Sequence, residues 1–411
     1  MGVEVRPVTD SELEEFFRVV AAAFGSGPSD PEQLADWRKA LELERTRAVF
    51  AGGRLVAASA ALSLELTLPG LTTVPAAGVT FVGVLPTHHR RGHLRRMMAS
   101  LLDDAADRRE PMAILLASES LVYGRFGFGP ASSHASVEVE SRYAAFRPSA
   151  PDGGGRIELC DERRAAEVLP AVLDAARRVQ PGDVRRPDAW WDARFRDPEK
   201  KRDGAGPQFY AVHESNSGSV DGYAVYRVKS DWEHGCHNGR VLASEVVGLT
   251  AGAEADLWRF LFSIDLTVVV EAERRPLDDP LRWMLADPRR LRTTMVSDFL
   301  WVRPLDVAAA LAARRYQVDG ALVLDVRDGA RPRGAGRYGL EGGPDGAECR
   351  PTTGGADLAL DVEDLGAVYL GGVAPSSLAA TGRIVEVRAG ALRRADAMFV
   401  SHPGPFARTG F

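Results

Sequence analysis

Two apolar runs, "GVTFVGV" at residues 78–84 and "MAILLAS" at 112–118, bracket a segment whose hydrophobic residues recur at helical spacing. Leu94, Met97, Met98, Leu101, Leu102 and Ala105 fall at steps of three and four, which gives a helix here one apolar face. Arg95, Arg96, Asp103, Asp104 and Arg108 take the rest of its surface. Strand, corner, amphipathic helix and strand make a β-α-β unit. Such a unit crosses over right-handedly and sets its two strands parallel in one sheet. The chain is therefore expected to be of the α/β (α+β) class.

The corner itself is unusual. Residues 88–96 hold three histidines and four arginines around the single glycine Gly92. Backbone N–H groups at a strand-to-helix turn lack partners, and the helix N-terminus adds the positive end of a dipole. Gly92 lets a ligand approach the main chain, and Arg90, Arg91 and Arg95 add donors suited to phosphate oxygens. The corner reads as a pyrophosphate cradle. No Gly-Lys-Ser/Thr follows, so it is not the nucleotide P-loop, and the three-glycine dinucleotide fingerprint is absent as well.

This local charge stands against an acidic background. Lys plus Arg is 51 and Asp plus Glu is 57, a net charge of -6. A protein that binds nucleic acid generally needs a broad basic surface, so nucleic acid is excluded as an expected partner. At 411 residues the chain exceeds one ordinary core, and two or three domains are expected. Three scattered cysteines, Cys160, Cys236 and Cys349, suggest no disulfide framework and a reducing, cytoplasmic setting. No signal-peptide pattern opens the sequence, and no apolar run approaches the roughly 18 residues that span a bilayer. No membrane partner is expected.

The order of elements repeats. "GRIELC" and "DERRAAEVLPAVLDAARR" read as strand and helix, "QFYAVHE" and "DGYAVYRVK" as a hairpin, and "ASEVVGL", "AGAEADLWRFLFSI" and "DLTVVVEA" as strand, helix and strand. The second corner, "TAGAEAD", is acidic and carries no arginine, so it should not bind what the first one binds. From "DFLWVRPLDVAAALAARR" onward the texture becomes glycine-rich, with short strands "ALVLDV", "DLALDV" and "IVEVR" and a helix "DLGAVYLGG" ended by Pro-Ser-Ser. A separate small α+β domain is expected there, with an exposed hairpin or loop at "GARPRGAGRYGLEGGPDGAE". "HGCH" at 234–237 has metal-ligand residue types but no second cluster, so it reads as a loop and no metal is expected. His134, His213 and Cys160 lie in strand-like runs and need no ligand role, and Trp190 and Trp191 read as packing residues.

"GVTFVGVLPTHHRRGHLRRMM" resembles the acetyl-coenzyme-A corner of the GNAT N-acetyltransferases, with His89 and Leu94 departing from the usual signature. "ASESLVYGRFGFGPAS", "DFLWVRPLDV" and the terminal "TGF" extend the resemblance over the whole chain, to the Eis (enhanced intracellular survival) branch of that family. It implies two tandem GNAT domains, at 1–148 and 149–298, the second degenerate, and a sterol-carrier-protein-like domain at 299–411, assembled as a homohexamer. It implies acetyl transfer from acetyl-CoA to amines of a small cationic molecule, notably several positions on aminoglycosides. A lysine side chain on a peptide or protein remains open as substrate, as does a non-enzymatic lipid-carrier or interaction role.

Residue by residue, the resemblance puts Val82, Gly83 and Val84 beside the pantetheine arm and Arg90, Arg91, Gly92, His93, Leu94 and Arg95 at the pyrophosphate. Ser118 and Glu119 fall at the end of the next strand, also beside the cofactor. Tyr123 is implied as the catalytic acid and the carboxylate of Phe411 as the base. Phe24, Trp37 and Phe81 are implied as walls of the amine pocket, where aromatic faces attract ammonium groups.

Overall fold

The computed structural model describes residues 2–27 and 30–411, which divide into two compact units. One unit holds residues up to Ser132 together with Gln180–Trp190 and Asp298–Phe411; the other holds Ser133–Val179 and Trp191–Ser297.

The first unit opens with β1 (Val3–Arg6), α1 (Leu13–Ala23) and α2 (Pro31–Ala40). Then come β2 (Thr46–Ala51), β3 (Arg54–Thr67), β4 (Thr73–Val84), α3 (His93–Asp107), β5 (Met112–Leu116), α4 (Ser120–Tyr123) and β6 (Gly129–Pro130). Thr9 and Glu12 form a capping box on the turn before α1. In α3 the residues Met97, Met98, Leu101, Leu102 and Ala105 are buried, as the helical spacing requires; Met98, Leu101, Leu102 and Ala105 pack with Ala77, Val79, Ala113 and Leu115 of the sheet, and Met97 with Val49, Val56 and Ala57. On the opposite face α1 buries Phe16, Phe17, Val19 and Val20 against β3 and β4. Covered on both sides, β3 is buried almost end to end.

The sheet order is β1-β2-β3-β4-β5, then the strand Leu300–Pro304, then β6. Only β4 and β5 are parallel, the pair that α3 connects. The second unit repeats the pattern: Arg156–Cys160, Phe209–Glu214, Val220–Lys229, Gly239–Gly248 and Thr267–Arg275 in order, with the last two parallel. β7 (Ser133–Glu140) and then Arg292–Asp298 complete that sheet. Each sheet therefore fills its sixth position with a strand distant in sequence. The expected borders at 148 and 298 do not follow the sheets: β7 joins the second, and Leu300–Pro304 joins the first. The physical reason is the open edge beyond each parallel pair, which needs an antiparallel partner, and a strand from elsewhere in the chain supplies it.

The glycine-rich C-terminal region forms a five-stranded sheet. Its order is Gly346–Pro351, Gly336–Gly343, Gly320–Arg327, Leu358–Asp361 and Val385–Glu386, so the expected hairpin is present and "IVEVR" shrinks to two residues. Pro375 does not end structure; it starts a short helix, Pro375–Ala379, where its missing N–H costs nothing. Helix Val362–Tyr369 packs on Leu300–Pro304 of the first sheet through Gly366, where a Cβ would strike the Val302 carbonyl.

Candidate active site

The parallel pair supplies the site's geometry. β4 pairs with β5 only from Ala76 to Val79, although β4 continues to Val84. At Phe81 the backbone turns left-handed (φ 53°) and the register with β3 slips between Ala58 and Ala60, a β-bulge. Beyond it the β5-facing edge of β4 has no strand partner among the described residues, so main-chain groups of Val82–Val84 border a gap.

A cavity of about 910 Å3 fills that gap. Val82, Gly83 and Val84 line one wall, Ser118, Glu119 and Tyr123 the other, and Arg90, Gly92, His93, Leu94 and Arg95 one end. Ten of the expected cofactor residues are thus brought together with Tyr123. Arg91 is the exception and a correction: its guanidinium donates to the Thr87 carbonyl at 3.1 Å within the loop, and it does not line the cavity. Arg90 (φ 60°) and Gly92 (φ 78°) flank it in left-handed conformations, which turn the Arg91 side chain back along the loop.

The electrostatics match. The guanidinium groups of Arg90 and Arg95 make no hydrogen bond or ion pair among the described residues, whereas those of other arginines, such as Arg45 and Arg275, are paired with carboxylates. His93 is buried, and neither ring nitrogen has a hydrogen-bond partner among the described residues. Burial first, and then the charges of Arg96, His88 and Arg91, hold its pKa below the ordinary histidine value. A cavity whose free donors converge like this fits the phosphates of acetyl-CoA. His89 stands where the family signature has Gln or Arg; it lines the cavity as well, and its Nε2 meets the Val84 carbonyl at 3.0 Å.

Tyr123 is buried at the C-terminal end of α4, packed edge-on against Phe128. Burial pushes its phenol above the ordinary value, a hydrogen bond with Ser118 opposes this, and the Glu119 charge adds to the rise. The segment after it is fixed by the C-terminal region: Arg303 donates to the Phe126 carbonyl at 2.5 Å and pairs with buried Asp328 at 2.7 Å. The left-handed Gly127 (φ 82°) sits where any side chain would meet that guanidinium.

Phe411 lies apart from this cavity, on the α1 side of the sheet. Its ring would touch a Cβ on Gly78 of β4 at 3.2 Å, and it stacks on Trp190 at 6.5 Å. Trp37 and Phe81 do come together, 5.3 Å apart within a cluster that includes Phe16 and Phe17. Phe24, expected with them, is half-exposed at the cavity lined by Tyr123 and Arg90 instead. Ala23, His88, Val122, Arg125 and Phe126 also line the cavity and were not expected there. Arg125 and Phe126 stand inside "YGRFGFG", so the motif offered a signal for them; Ala23 offered none.

Among the described residues no group of three or more His, Cys, Asp and Glu is placed to hold a metal. The exposed Cys236 belongs to a two-residue ribbon, and His213 sits between Asp221 and Asp256, with its ring nitrogens 2.5 and 3.2 Å from their oxygens. No helix of the described residues is long and apolar enough to cross a membrane.

Residues 4–131 and 182–304 each match an acetyltransferase (GNAT) domain family, and residues 307–408 match the sterol carrier protein domain. An uncharacterised N-acetyltransferase of Streptomyces coelicolor is 40% identical over the full length of both chains. The N-acetyltransferase Eis of Mycobacterium tuberculosis is 35% identical over 98% of each. The crystal structure of Eis1 from Mycobacterium abscessus superposes with a TM-score of 0.87 at 33% identity, covering 99% of this chain and 100% of that one.

Proposed function

Because the chain belongs to the Eis family of GNAT N-acetyltransferases, we propose that it acetylates primary amines of a small polycationic substrate, of the aminoglycoside kind, at more than one position. The observation that carries this reading is the cavity in which Arg90 and Arg95, whose guanidinium groups are unpaired among the described residues, the left-handed turn at Gly92 and Tyr123 converge. Acetyl-CoA, when bound, supplies the acyl carbon. Arg90, Arg95 and the amides at Gly92 would hold its phosphates, and main-chain groups of Val82 and Gly83, beyond the reach of β5, would hydrogen-bond its amide-bearing arm.

Tyr123 serves as the acid. Its raised pKa keeps the phenol protonated through neutral pH, so its O–H is available to hydrogen-bond the departing thiolate and to deliver a proton as the C–S bond breaks. On the other face, an amine with a pKa near roughly 10 must shed a proton before it attacks. The Phe411 carboxylate takes the role of base, directly or through water, and also draws a cationic substrate toward β4. Half-buried Trp37 and Phe81 offer ring faces to ammonium groups there. Homohexamer assembly belongs to the same proposal, and sedimentation velocity tests it.

Coenzyme-A release measured with an aminoglycoside, a polyamine and a lysine peptide tests the substrate class. Turnover on the aminoglycoside at several amines supports the reading. Turnover on the lysine peptide alone replaces it with protein acetylation. A thermal shift with lipid and none with coenzyme A would point to a carrier.

A further inference from the structure

The segment Gln180–Trp190 follows the first helix of the second repeat in sequence, yet it is built into the first unit, against β3. Thr67 N donates to the Asp183 carbonyl at 2.9 Å, Gly182 N donates to the Thr67 carbonyl at 2.8 Å, and Arg185 N donates to the Glu65 carbonyl at 3.0 Å. Val184 forms a bridge with Leu66. The other side of the segment grips the C-terminal tail. Phe406 N donates to the Pro181 carbonyl at 2.9 Å and Gln180 Nε2 to the Gly404 carbonyl at 2.7 Å. Asp183, fully buried, accepts from Arg408 twice, from the backbone N–H at 2.9 Å and from the guanidinium at 2.6 Å. Trp190 then stacks on Phe411. The tail's root is fixed too: fully buried Arg314 donates to the carbonyls of Tyr369 and Phe399, the last residues of two helices.

One residue thus joins the catalytic sheet to the tail: the Asp183 main chain is bonded to β3 and its carboxylate to Arg408, three residues before the terminus. We propose that Asp183 and Arg408 are positioning residues that hold Phe411 at the middle of β4, where it meets the amine. This rests on the reading of the Phe411 carboxylate as base. A surface ion pair would contribute little, but a fully buried carboxylate that loses its cation is left uncompensated, so the pair sets where the tail lies. A misplacement of about 1 Å in a reacting group can cost on the order of 100-fold in rate.

The experiment compares full-length Arg408→Gln, Asp183→Asn and the conservative Arg408→Lys with the parent and with a variant carrying one alanine after Phe411. Expected for Arg408→Gln and Asp183→Asn is a kcat loss of about 10- to 100-fold with KM for acetyl-CoA unchanged. The loss should shrink as pH rises and the amine deprotonates unaided, and Arg408→Lys should recover much of the rate. Parent kcat and pH profile in folded Arg408→Gln, beside an inactive extended variant, overturn the positioning role alone. Full activity in the extended variant overturns the base reading beneath it. If Arg408→Gln does not accumulate as folded protein, Trp190→Leu frees the Phe411 ring directly. Loss of kcat there supports the proposal, and parent kcat with the parent pH profile contradicts it.

Discussion

At the scale of single residues, two buried groups carry opposite pH consequences. Tyr123 has its pKa raised by burial, so the proton-donating form persists past the ordinary phenol range. The rate should therefore climb as the amine deprotonates, with no falling limb below about pH 10. Tyr123→Phe should lower kcat by about 100-fold or more, read by steady-state coenzyme-A release; a fall below threefold would contradict the assignment. His93 has its pKa lowered, chiefly by burial, so the native ring resists protonation while the unfolded chain takes up a proton near pH 6.5. Its contribution to stability is complete above that value and is lost as pH falls through it, because the unfolded state then binds more protons. His93→Leu should remove this dependence. Denaturant midpoints at pH 7.5 and 5 should show the parent losing more on acidification than the variant, and equal losses would count against the account.

At the scale of elements, the early end of α3, the bulge in β4 and the short pairing of β4 with β5 together make the gap that the cavity fills. The β-α-β unit and its basic corner were legible in the sequence, because helical spacing and the arginines around Gly92 are local signals. The bulge was not, since nothing in "GVTFVGV" marks Phe81 as left-handed; only pairing with β3 forces it. Nor could the sequence tell which sheet β7 or Leu300–Pro304 would join, as both read as strands and their partners lie far along the chain. Where elements meet closely, glycine decides the spacing. Gly366→Ala raises helix propensity in Val362–Tyr369, yet its Cβ would strike the Val302 carbonyl. The variant should lose about 1–3 kcal/mol in chemical denaturation, the sign expected of overpacking; a gain would contradict the contact.

At the scale of the whole molecule, the C-terminal region supplies parts of the site in the first unit. Arg303 and Asp328 fix the chain after Tyr123, and the tail brings Phe411 to β4. The resemblance pointed to Tyr123 and Phe411 as a pair, but their means of support were hidden, because an ion pair such as Asp183–Arg408 spans 225 residues and leaves no local pattern. Arg91 shows the converse limit: charge at a corner is legible, while the direction of each side chain depends on backbone conformation. The left-handed turn at Gly92 is expected to dock a diphosphate. Among the described residues nothing lies within 4 Å of a Cβ there, so a Gly92→Glu side chain has room to project, while it opposes an anion and strains the turn. Titration calorimetry of acetyl-CoA into the folded parent and the folded Gly92→Glu variant measures this directly. A loss of affinity of 10-fold or more is predicted, and equal affinity in the two proteins would contradict the account.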